Sequence, residues 1–415
     1  MKKYRKIISA VMASAMVATL FAGCGNSGDS GSSSADNTAA ADNAADNTAA
    51  GGETAAAGNN GGTTIKIGGV GPTTGSAAVY GIAVQNAAQL AVDEINAAGG
   101  INGVQIEFKF EDDECDAEKS VNAYNTLKDW GMQMLVGAVT SGCSVAVSEK
   151  TAEDNMFQLT PSGSSVDCVK YDNSFRVCFS DPNQGMASAK YIGENAIASS
   201  VAVIYDSSDI YSSGIYEKFV AEAANQPFEI VSAEAFTADS KTDFSVQLQK
   251  AKDAGAELVF LPIYYTEASL ILSQSSTLGY APIFFGCDGL DGILNVENFD
   301  TSLAEGVMLL TPFAADAQDE LTQNFVSAYK EKFGDTPNQF AADAYDAVYA
   351  IKAAGEKAGI TPDMDMSSMC EAMKAAMPQI SLDGLTGVGM TWDASGEPNK
   401  DPKAVKITDG AYTAM

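Results

Sequence analysis

The sequence predicts an α/β protein with two similar Rossmann-like lobes, each built on a parallel central sheet. Short apolar runs alternate with segments of helical periodicity, and this β-α alternation occurs twice along the chain. The chain has 415 residues, of which 46% are apolar, whereas a single hydrophobic core rarely grows beyond about 250–300 residues. Two lobes are therefore expected rather than one domain.

The first run of alternating elements starts with a strand at 64–70, followed by a helix at 80–98 with apolar residues at helical spacing. Gly99 and Gly100 supply the signal that ends this helix. The run continues with a strand at 104–110, a helix at 116–130, a strand at 132–138, a helix at 143–154 and a strand at 156–160. Such strict alternation predicts a parallel sheet covered by helices on both faces.

The second run begins after Asp181-Pro182 and repeats the same order. Its elements are a helix at 183–198, a strand at 200–205, a helix at 211–225, a strand at 228–234, a helix at 242–254, a strand at 257–262, a helix at 266–278 and a strand at 282–285. Further along lie a strand at 305–310, helices at 317–333, 337–358 and 367–377, and short strands at 388–391 and 404–408. Because open parallel sheets bind ligands beyond the carboxyl ends of their strands, the turns after the strands are the expected site.

Residues 1–24 are typical of a secretory signal peptide, with a basic start and an apolar run from Ile7 to Phe21. The small residues that precede Cys24 resemble a bacterial lipobox, so Cys24 is the expected lipid anchor. The apolar run is about 15 residues long, short of the roughly 20 that a membrane-spanning helix needs. We therefore expect an extracytoplasmic lipoprotein held at the outer face of the cytoplasmic membrane by its N-terminal lipid alone.

Residues 25–63 consist almost entirely of Gly, Ser, Ala, Asn, Asp and Thr. Such a stretch cannot bury enough apolar surface to offset its ordering entropy. The sequence predicts a disordered linker with an r.m.s. reach of roughly 35 Å, enough for a tethered domain to search the membrane plane.

Composition excludes several classes of function. The formal net charge of −30 repels phosphate backbones and anionic lipids, so nucleic acid is not an expected partner. The sequence has no histidine, which removes Ser-His-Asp and Cys-His catalysis and His-ligated zinc or haem. The acidic run Glu111–Glu114 lacks the ligand spacing of a calcium loop. We expect a protein that is not an enzyme and uses no metal or cofactor.

A series of loose motifs appears in a characteristic order: IKIGGVGPTTG, QLAVDEINAAGGINGVQIEF, DDECD, LTPSGSS, VAVIYDSSDIYSSG and FFGCDG. Their order and spacing resemble the periplasmic binding protein family for leucine, isoleucine and valine, over residues 64–415. The resemblance implies a type I substrate-binding protein of an ABC transporter, with an amino acid as ligand, permease subunits as partners and a monomeric state. It also implies three crossings between lobes, near Asp181-Pro182, Thr311-Pro312 and Gly389–Trp392.

These crossings divide the folded part into lobe one, residues 64–182 with 311–390, and lobe two, residues 183–310 with 391–415. Two alternatives stay open. The same fold could bind a different small molecule, such as an amide, a urea or an aromatic acid, or it could serve as a sensory receptor module.

A free amino acid is a zwitterion, so its pocket needs donors for the carboxylate and acceptors for the ammonium. Ser141 lies where a strand ends and a helix begins, so its hydroxyl and nearby backbone N–H groups can hold a carboxylate. The resemblance implies that the Gly163 backbone and the Ser164 hydroxyl contact both charged groups, although such a serine could simply cap a helix. It also places Asp288 opposite the ligand ammonium, a charge-assisted contact.

Three tyrosines fall at or near aromatic contact positions of that family: Tyr80, Tyr211 and Tyr264. Aromatic walls from opposite lobes can sandwich a ligand and bury much of its surface. Pro262-Ile263 replaces a Gly-Gly pair that is frequent in the family. This replacement leaves open whether leucine or another amino acid fits the side-chain pocket.

Six cysteines besides Cys24 lie in a part of the chain expected to be in an oxidising compartment, so some of them should pair. The short polar stretch between Cys168 and Cys178 favours a local bridge. Cys115 and Cys143 lie at the same edge of the predicted sheet, and the family often has a bridge from the first of these positions. Cys287 and Cys370 are expected to stay reduced.

Overall fold

The first of two sheets is made by the N-terminal part of the folded chain. A computed structural model describes residues 63–415, so the expected signal peptide, Cys24 and the linker up to residue 62 lie outside the described residues. The strands of this sheet are β1 (Thr64–Gly71), β2 (Gln105–Asp112), β3 (Met134–Gly137), β4 (Phe157–Thr160) and β5 (Ser174–Arg176). They lie in the order β2-β1-β3-β4-β5, and every pair is parallel.

The second sheet is longer and mixed at one edge. Its strands are β6 (Ser200–Asp206), β7 (Glu229–Phe236), β8 (Leu258–Leu261), β9 (Ile283–Gly286), β10 (Met308–Thr311), β11 (Lys403–Thr408) and β12 (Ala411–Ala414). The order is β7-β6-β8-β9-β10-β11-β12. Pairs among β6 to β10 are parallel, whereas β11 and β12 form an antiparallel hairpin beside β10.

Helices connect the strands and cover the sheets. They are α1 (Ala78–Ala97), α2 (Ala117–Trp130), α3 (Ser141–Asp154), α4 (Asp181–Glu194), α5 (Ile210–Ala223), α6 (Ser245–Asp253), α7 (Tyr265–Thr277), α8 (Glu320–Phe333), α9 (Gln339–Ala358) and α10 (Met366–Ala376). Although α9 and α10 follow β10 of the second sheet in sequence, α9 packs on α1 and α10 packs on β4. Within residues 63–415, no helix is long and apolar enough to cross a membrane.

Local signals explain where these helices begin and end. The Asp116 carboxylate accepts a hydrogen bond from the Lys119 N–H at the start of α2, and Gly131 ends that helix in the left-handed conformation. At the start of α9 the Asn338 side chain accepts a hydrogen bond from the Ala341 N–H, and Gly359 ends that helix in the left-handed conformation. The central strands β3, β4, β8 and β10 are buried along their whole length, as expected for parallel strands covered on both faces.

The α/β fold with parallel central sheets is confirmed, and most predicted elements lie within a few residues of the observed ones. One predicted strand, 388–391, is wrong: Met390 makes only an isolated bridge with Leu382, beside the positive φ of Gly389. Strands β5 and β12 were not predicted, because each contains a single large apolar residue, Phe175 and Tyr412, and so shows no apolar run.

Candidate functional site: a cleft between the two sheets

The Ser141 hydroxyl lies at the carboxyl end of β3, where α3 begins. Its side chain is buried, and its Oγ accepts hydrogen bonds from the N–H groups of Ser164 and Ser165, both at 3.2 Å. The Ser164 hydroxyl lies 3.4 Å from the same oxygen. The structure therefore brings Ser141 and Ser164 together at the ends of neighbouring strands.

Gly163 belongs to a tightly packed turn after β4. Its N–H donates to the Thr160 hydroxyl at 2.8 Å, and its carbonyl accepts from the Arg176 guanidinium at 3.1 Å. A Cβ atom on Gly163 would lie 2.8 Å from side-chain atoms of Ser144 and Thr160. This position therefore needs glycine for close packing rather than for an unusual backbone conformation.

Asp288 follows β9 in the second sheet and opens a short 3₁₀ turn. Its carboxylate Oδ1 accepts a hydrogen bond from the Tyr211 hydroxyl at 2.7 Å, and the same hydroxyl accepts from the Gly289 N–H at 2.9 Å. The Asp288 N–H donates to the Gln184 side-chain oxygen, and the Asp288 carbonyl accepts from the Gln339 side-chain amide. Asp288 is 4% exposed, and burial raises its pKa to about 7 against the opposing effect of the Tyr211 hydrogen bond.

An aromatic cluster completes the walls of this site. The Tyr211 and Tyr264 rings are stacked, with centroids 4.9 Å apart, and Tyr80 meets the edge of Tyr264 at 5.6 Å. Phe340, at the start of α9, packs on Tyr80 with centroids 4.1 Å apart. The three predicted tyrosines thus lie together, and Phe340 joins them without having been predicted.

The two halves of the molecule touch directly across the site. From the first half, the Tyr80 hydroxyl donates to the Gly289 carbonyl, and the Val79 N–H donates to the Tyr265 hydroxyl at 3.2 Å. The cavity enclosed by Ser141, Ser162, the tyrosines, Asp288 and Phe340 measures only about 10 Å³. The structure is therefore a closed arrangement of the cleft, with room for about one water.

A larger cavity of about 410 Å³ lies at the mouth of the cleft and shares Thr140 and Tyr264 with the enclosed site. Ile263, one of the two residues that replace the frequent Gly-Gly pair, lines it. The charged groups of its lining are mostly acidic: Glu114, Asp116, Asp206, Asp209 and Glu267, against Lys119 and Lys241. This acidic mouth disfavours anions at the entrance.

Two buried charged residues, Asp181 and Arg176, lie near the site, and the sequence indicated Asp181 only as part of a crossing between lobes. The Asp181 N–H donates to the Ser164 carbonyl at 2.9 Å, and within the described part of the chain neither Asp181 carboxylate oxygen has a hydrogen-bond partner. Burial raises the Asp181 pKa well above its ordinary value. Arg176 is fully buried. Its guanidinium donates to the Gly163 carbonyl and forms an ion pair of 3.0 Å with the Glu397 carboxylate.

All six cysteines within residues 63–415 are free thiols, so the structure shows neither of the two predicted bridges, Cys168–Cys178 and Cys115–Cys143. Part of the stretch between Cys168 and Cys178 forms β5 and pairs with β4. The Cys168 thiol instead donates to the Ser141 carbonyl at 3.7 Å. Cys115 and Cys143 do lie side by side, and their thiol contact lowers the pKa of Cys115; a bridge between them stays a prediction.

Residues 64–411 match the family described as periplasmic binding protein. Leu/Ile/Val-binding protein homolog 3 of Brucella melitensis is 32% identical over 325 residues, which cover 77% of this chain and 86% of that protein. The leucine-, isoleucine-, valine-, threonine- and alanine-binding protein of Pseudomonas aeruginosa is 30% identical over 303 residues, or 72% of this chain and 79% of that protein.

Among solved structures, a similar one is the branched-chain amino acid transporter substrate binding protein LivJ from Streptococcus pneumoniae, in complex with isoleucine. The TM-score is 0.77 at 29% identity, and the match covers 85% of this chain and 98% of that chain. A leucine binding protein, LivK, from Thermotoga maritima has the same fold, with a TM-score of 0.75 at 24% identity, over 85% of this chain and 98% of that chain.

Proposed function

This chain belongs to the leucine/isoleucine/valine-binding periplasmic protein family, and we propose that it captures an amino acid, branched-chain or similar, in its cleft for an ABC transporter. Its family and relatives are substrate-binding transport proteins, not enzymes. The relatives are named for leucine, isoleucine and valine, and a solved relative holds isoleucine. We therefore expect this cleft to bind a ligand of the same chemical class.

The observation that carries the proposal is that Ser141 and Asp288 line the same enclosed site, with Ser164 in contact with Ser141. The buried Asp288 carboxylate is an acceptor for the ligand ammonium, and Tyr211 holds it in place. Across the cleft, hydroxyl and backbone N–H groups at the start of α3 can donate to the ligand carboxylate. A zwitterionic ligand can pair its ammonium with Asp288 and its carboxylate with the donors at the start of α3.

Binding requires the cleft to open and close. The enclosed cavity of about 10 Å³ has room for about one water, whereas an amino acid has several times the volume of a water molecule. We expect the ligand to bind first to Ser141 and Ser164 in an open form, and closure then to bring Tyr211, Tyr264 and Asp288 onto it. The moving bodies are the predicted lobes, residues 64–182 with 311–390 and residues 183–310 with 391–415.

Anchoring and delivery extend the proposal beyond the cleft. A lipid on Cys24 would keep the protein at the outer face of the membrane, within reach of permease subunits that recognise the closed form. Replacing Cys24 by Ser should move the protein from the membrane fraction to the soluble fraction. An unchanged membrane fraction would rule out lipidation at this residue.

Calorimetric titration of the purified protein tests the ligand class. L-leucine, L-isoleucine and L-valine are compared with 4-methylpentanoate, which has the leucine side chain and carboxylate but no ammonium. At least one of the three amino acids should bind, and 4-methylpentanoate should bind at least about 30-fold more weakly, because it leaves the Asp288 carboxylate buried without its partner. Equal or tighter binding of 4-methylpentanoate would show that the ligand needs no amine and would favour a carboxylic acid as the natural ligand.

A further inference from the structure

A third cavity, of about 520 Å³, lies apart from the cleft and is lined by neither Ser141, Ser164 nor Asp288. Its walls come from both parts of the molecule: the 3₁₀ turns after β9, the end of β10, helix α8 and the β11–β12 hairpin. The lining residues that matter here are Asp291, Phe313, Val326, Lys330, Val405 and Tyr412. Its volume falls within the range of roughly 300–1,000 Å³ of small-molecule sites.

Asp291 is the notable member of this lining, because its carboxylate is only half satisfied. The residue is 5% exposed, and its Oδ2 accepts a hydrogen bond from the Gln339 N–H at 2.8 Å, at the start of α9. Among residues 63–415, Oδ1 has no hydrogen-bond partner. The Tyr412 hydroxyl lies close enough to the carboxylate to oppose the rise in its pKa, while it accepts from the Gly292 N–H at 2.9 Å and donates to the Leu290 carbonyl at 3.5 Å.

A buried acceptor of this kind costs free energy unless a donor reaches it. Burial raises the Asp291 pKa to about 6, so the carboxylate is mostly ionised at neutral pH and the donor that suits it best is cationic. One buried carboxylate offers too few oxygens for Ca²⁺, which takes six to eight. An ammonium group, with its three N–H donors, needs only one strong acceptor and a few weaker ones.

The rest of the cavity fits the remainder of such a ligand. Phe313, Val326 and Val405 are at most 7% exposed and give the cavity an apolar wall. The exposed charges of the lining are Asp316 and Asp335 against Lys330, so the cavity carries an excess of negative charge when Asp291 is ionised. A cation with a short hydrocarbon body matches both features.

We propose that this cavity is a second ligand site, which takes a small organic ammonium ion with an apolar body and binds its ammonium at Asp291. The site is independent of the proposed amino-acid site, because it contains no counterpart of the Ser141 and Ser164 donors. Asp288 and Asp291 nevertheless lie three residues apart at the two ends of one 3₁₀ turn, and Gln339 contacts both. A test must therefore separate the two carboxylates.

Calorimetry with 3-methylbutylammonium provides this test, since that amine has the leucine side chain but lacks the carboxylate that the cleft is expected to require. Wild-type protein and the Asp288→Asn variant should bind it with the same affinity. The Asp291→Asn variant should bind it at least about 10-fold more weakly, the effect of losing a hydrogen bond to a charged group. Asn keeps an acceptor for the Gln339 N–H, so the fold should survive, and circular dichroism checks this.

A second variant, Ala411→Trp, keeps the proposal testable if Asp291→Asn does not fold. Ala411 is an exposed residue of β12 that lines the cavity, so tryptophan there should fill the space without disturbing a core and should also weaken amine binding at least about 10-fold. The proposal is overturned if wild-type protein does not bind the amine, or if both Asp291→Asn and Ala411→Trp bind it as tightly as wild type. It is also overturned if Asp288→Asn abolishes binding, because the amine then occupies the cleft.

Discussion

The hydroxyl of Tyr211 donates a 2.7 Å hydrogen bond to Oδ1 of Asp288, and both groups are almost fully buried. Tyr211 follows β6 and Asp288 follows β9, so the contact joins two strand ends of the second sheet. The Tyr211 hydroxyl also accepts from the Gly289 N–H, which leaves it no freedom to turn away from the carboxylate. A buried carboxyl group is thus fixed in position before any ligand contacts it.

The raised pKa of Asp288 predicts a pH dependence of folding stability. The folded value of about 7 exceeds the unfolded value of about 3.9, so between these pH values the folded state binds the extra proton and stability falls as pH rises. Asp113 and Asp343, raised to about 6 by burial, act in the same direction. Carboxylates with lowered pKa values titrate below about pH 4 and do not interfere above pH 5.5.

Urea unfolding of the ligand-free protein at pH 5.5 and 7.5 measures this effect. We expect the unfolding free energy to be lower at pH 7.5, with about 2 kcal/mol of the difference due to Asp288. The Asp288→Asn variant should lose that share and show a flatter profile. A profile that rises with pH, or one that is identical in the variant, contradicts the assignment.

Close packing at Gly163 predicts a strong effect of a single methyl group. In Gly163→Ala the new Cβ would meet Ser144 and Thr160 at 2.8 Å, so the turn that holds Ser164 must shift. We expect amino-acid binding to weaken at least about 10-fold, as ligand hydrogen bonds are lost. Gly142→Ala is the matched control, because a Cβ there meets nothing within 4 Å and the backbone N–H is kept; its affinity should stay within about twofold of wild type. Calorimetry in which Gly163→Ala binds like Gly142→Ala would show that the turn does not contact the ligand.

The ion pair between Arg176 and Glu397 predicts an effect on folding stability. Arg176 is fully buried, whereas the Glu397 side chain is 33% exposed. Glu397→Gln should lower the unfolding free energy by about 2–3 kcal/mol, because it leaves a buried guanidinium without its counter-charge. Glu217→Gln, which breaks the exposed pair with Lys218, should cost no more than about 0.5 kcal/mol. Urea denaturation of both variants measures these losses of unfolding free energy. Equal losses would mean that the Arg176 charge is solvated.

Cys115 is expected to be the most reactive of the six described thiols. It is the one that is partly exposed, and contact with the Cys143 thiol lowers its pKa, which raises the thiolate fraction. Brief iodoacetamide treatment of the folded protein, followed by peptide mapping, should label Cys115 first. Labelling of Cys168 or Cys178 before Cys115 would contradict the burial of these thiols, and a Cys115–Cys143 cross-link before treatment would establish the predicted bridge.

Much of the site was predictable because parallel sheets place the ends of their strands along one edge. Ser141, Ser164, Tyr211 and Asp288 each follow a strand, so the resemblance to a family and the β-α alternation point to the same turns. Phe340 could not be found in this way, because it enters the site from α9, far along the chain. Nor could Asp291, since only the packing of α9 and the β11–β12 hairpin around it reveals a carboxylate with one free oxygen.

The central claim is that Asp288 holds the ammonium of an amino acid in the cleft, and calorimetry on Asp288→Asn tests it most directly. L-leucine, L-isoleucine and L-valine are titrated into wild-type and variant protein at pH 8, where the wild-type carboxylate is ionised. Loss of a charged partner from a buried pair costs about 2–5 kcal/mol, so the affinity of the tightest-binding amino acid should fall at least about 30-fold. Unchanged affinity in Asp288→Asn would contradict the account.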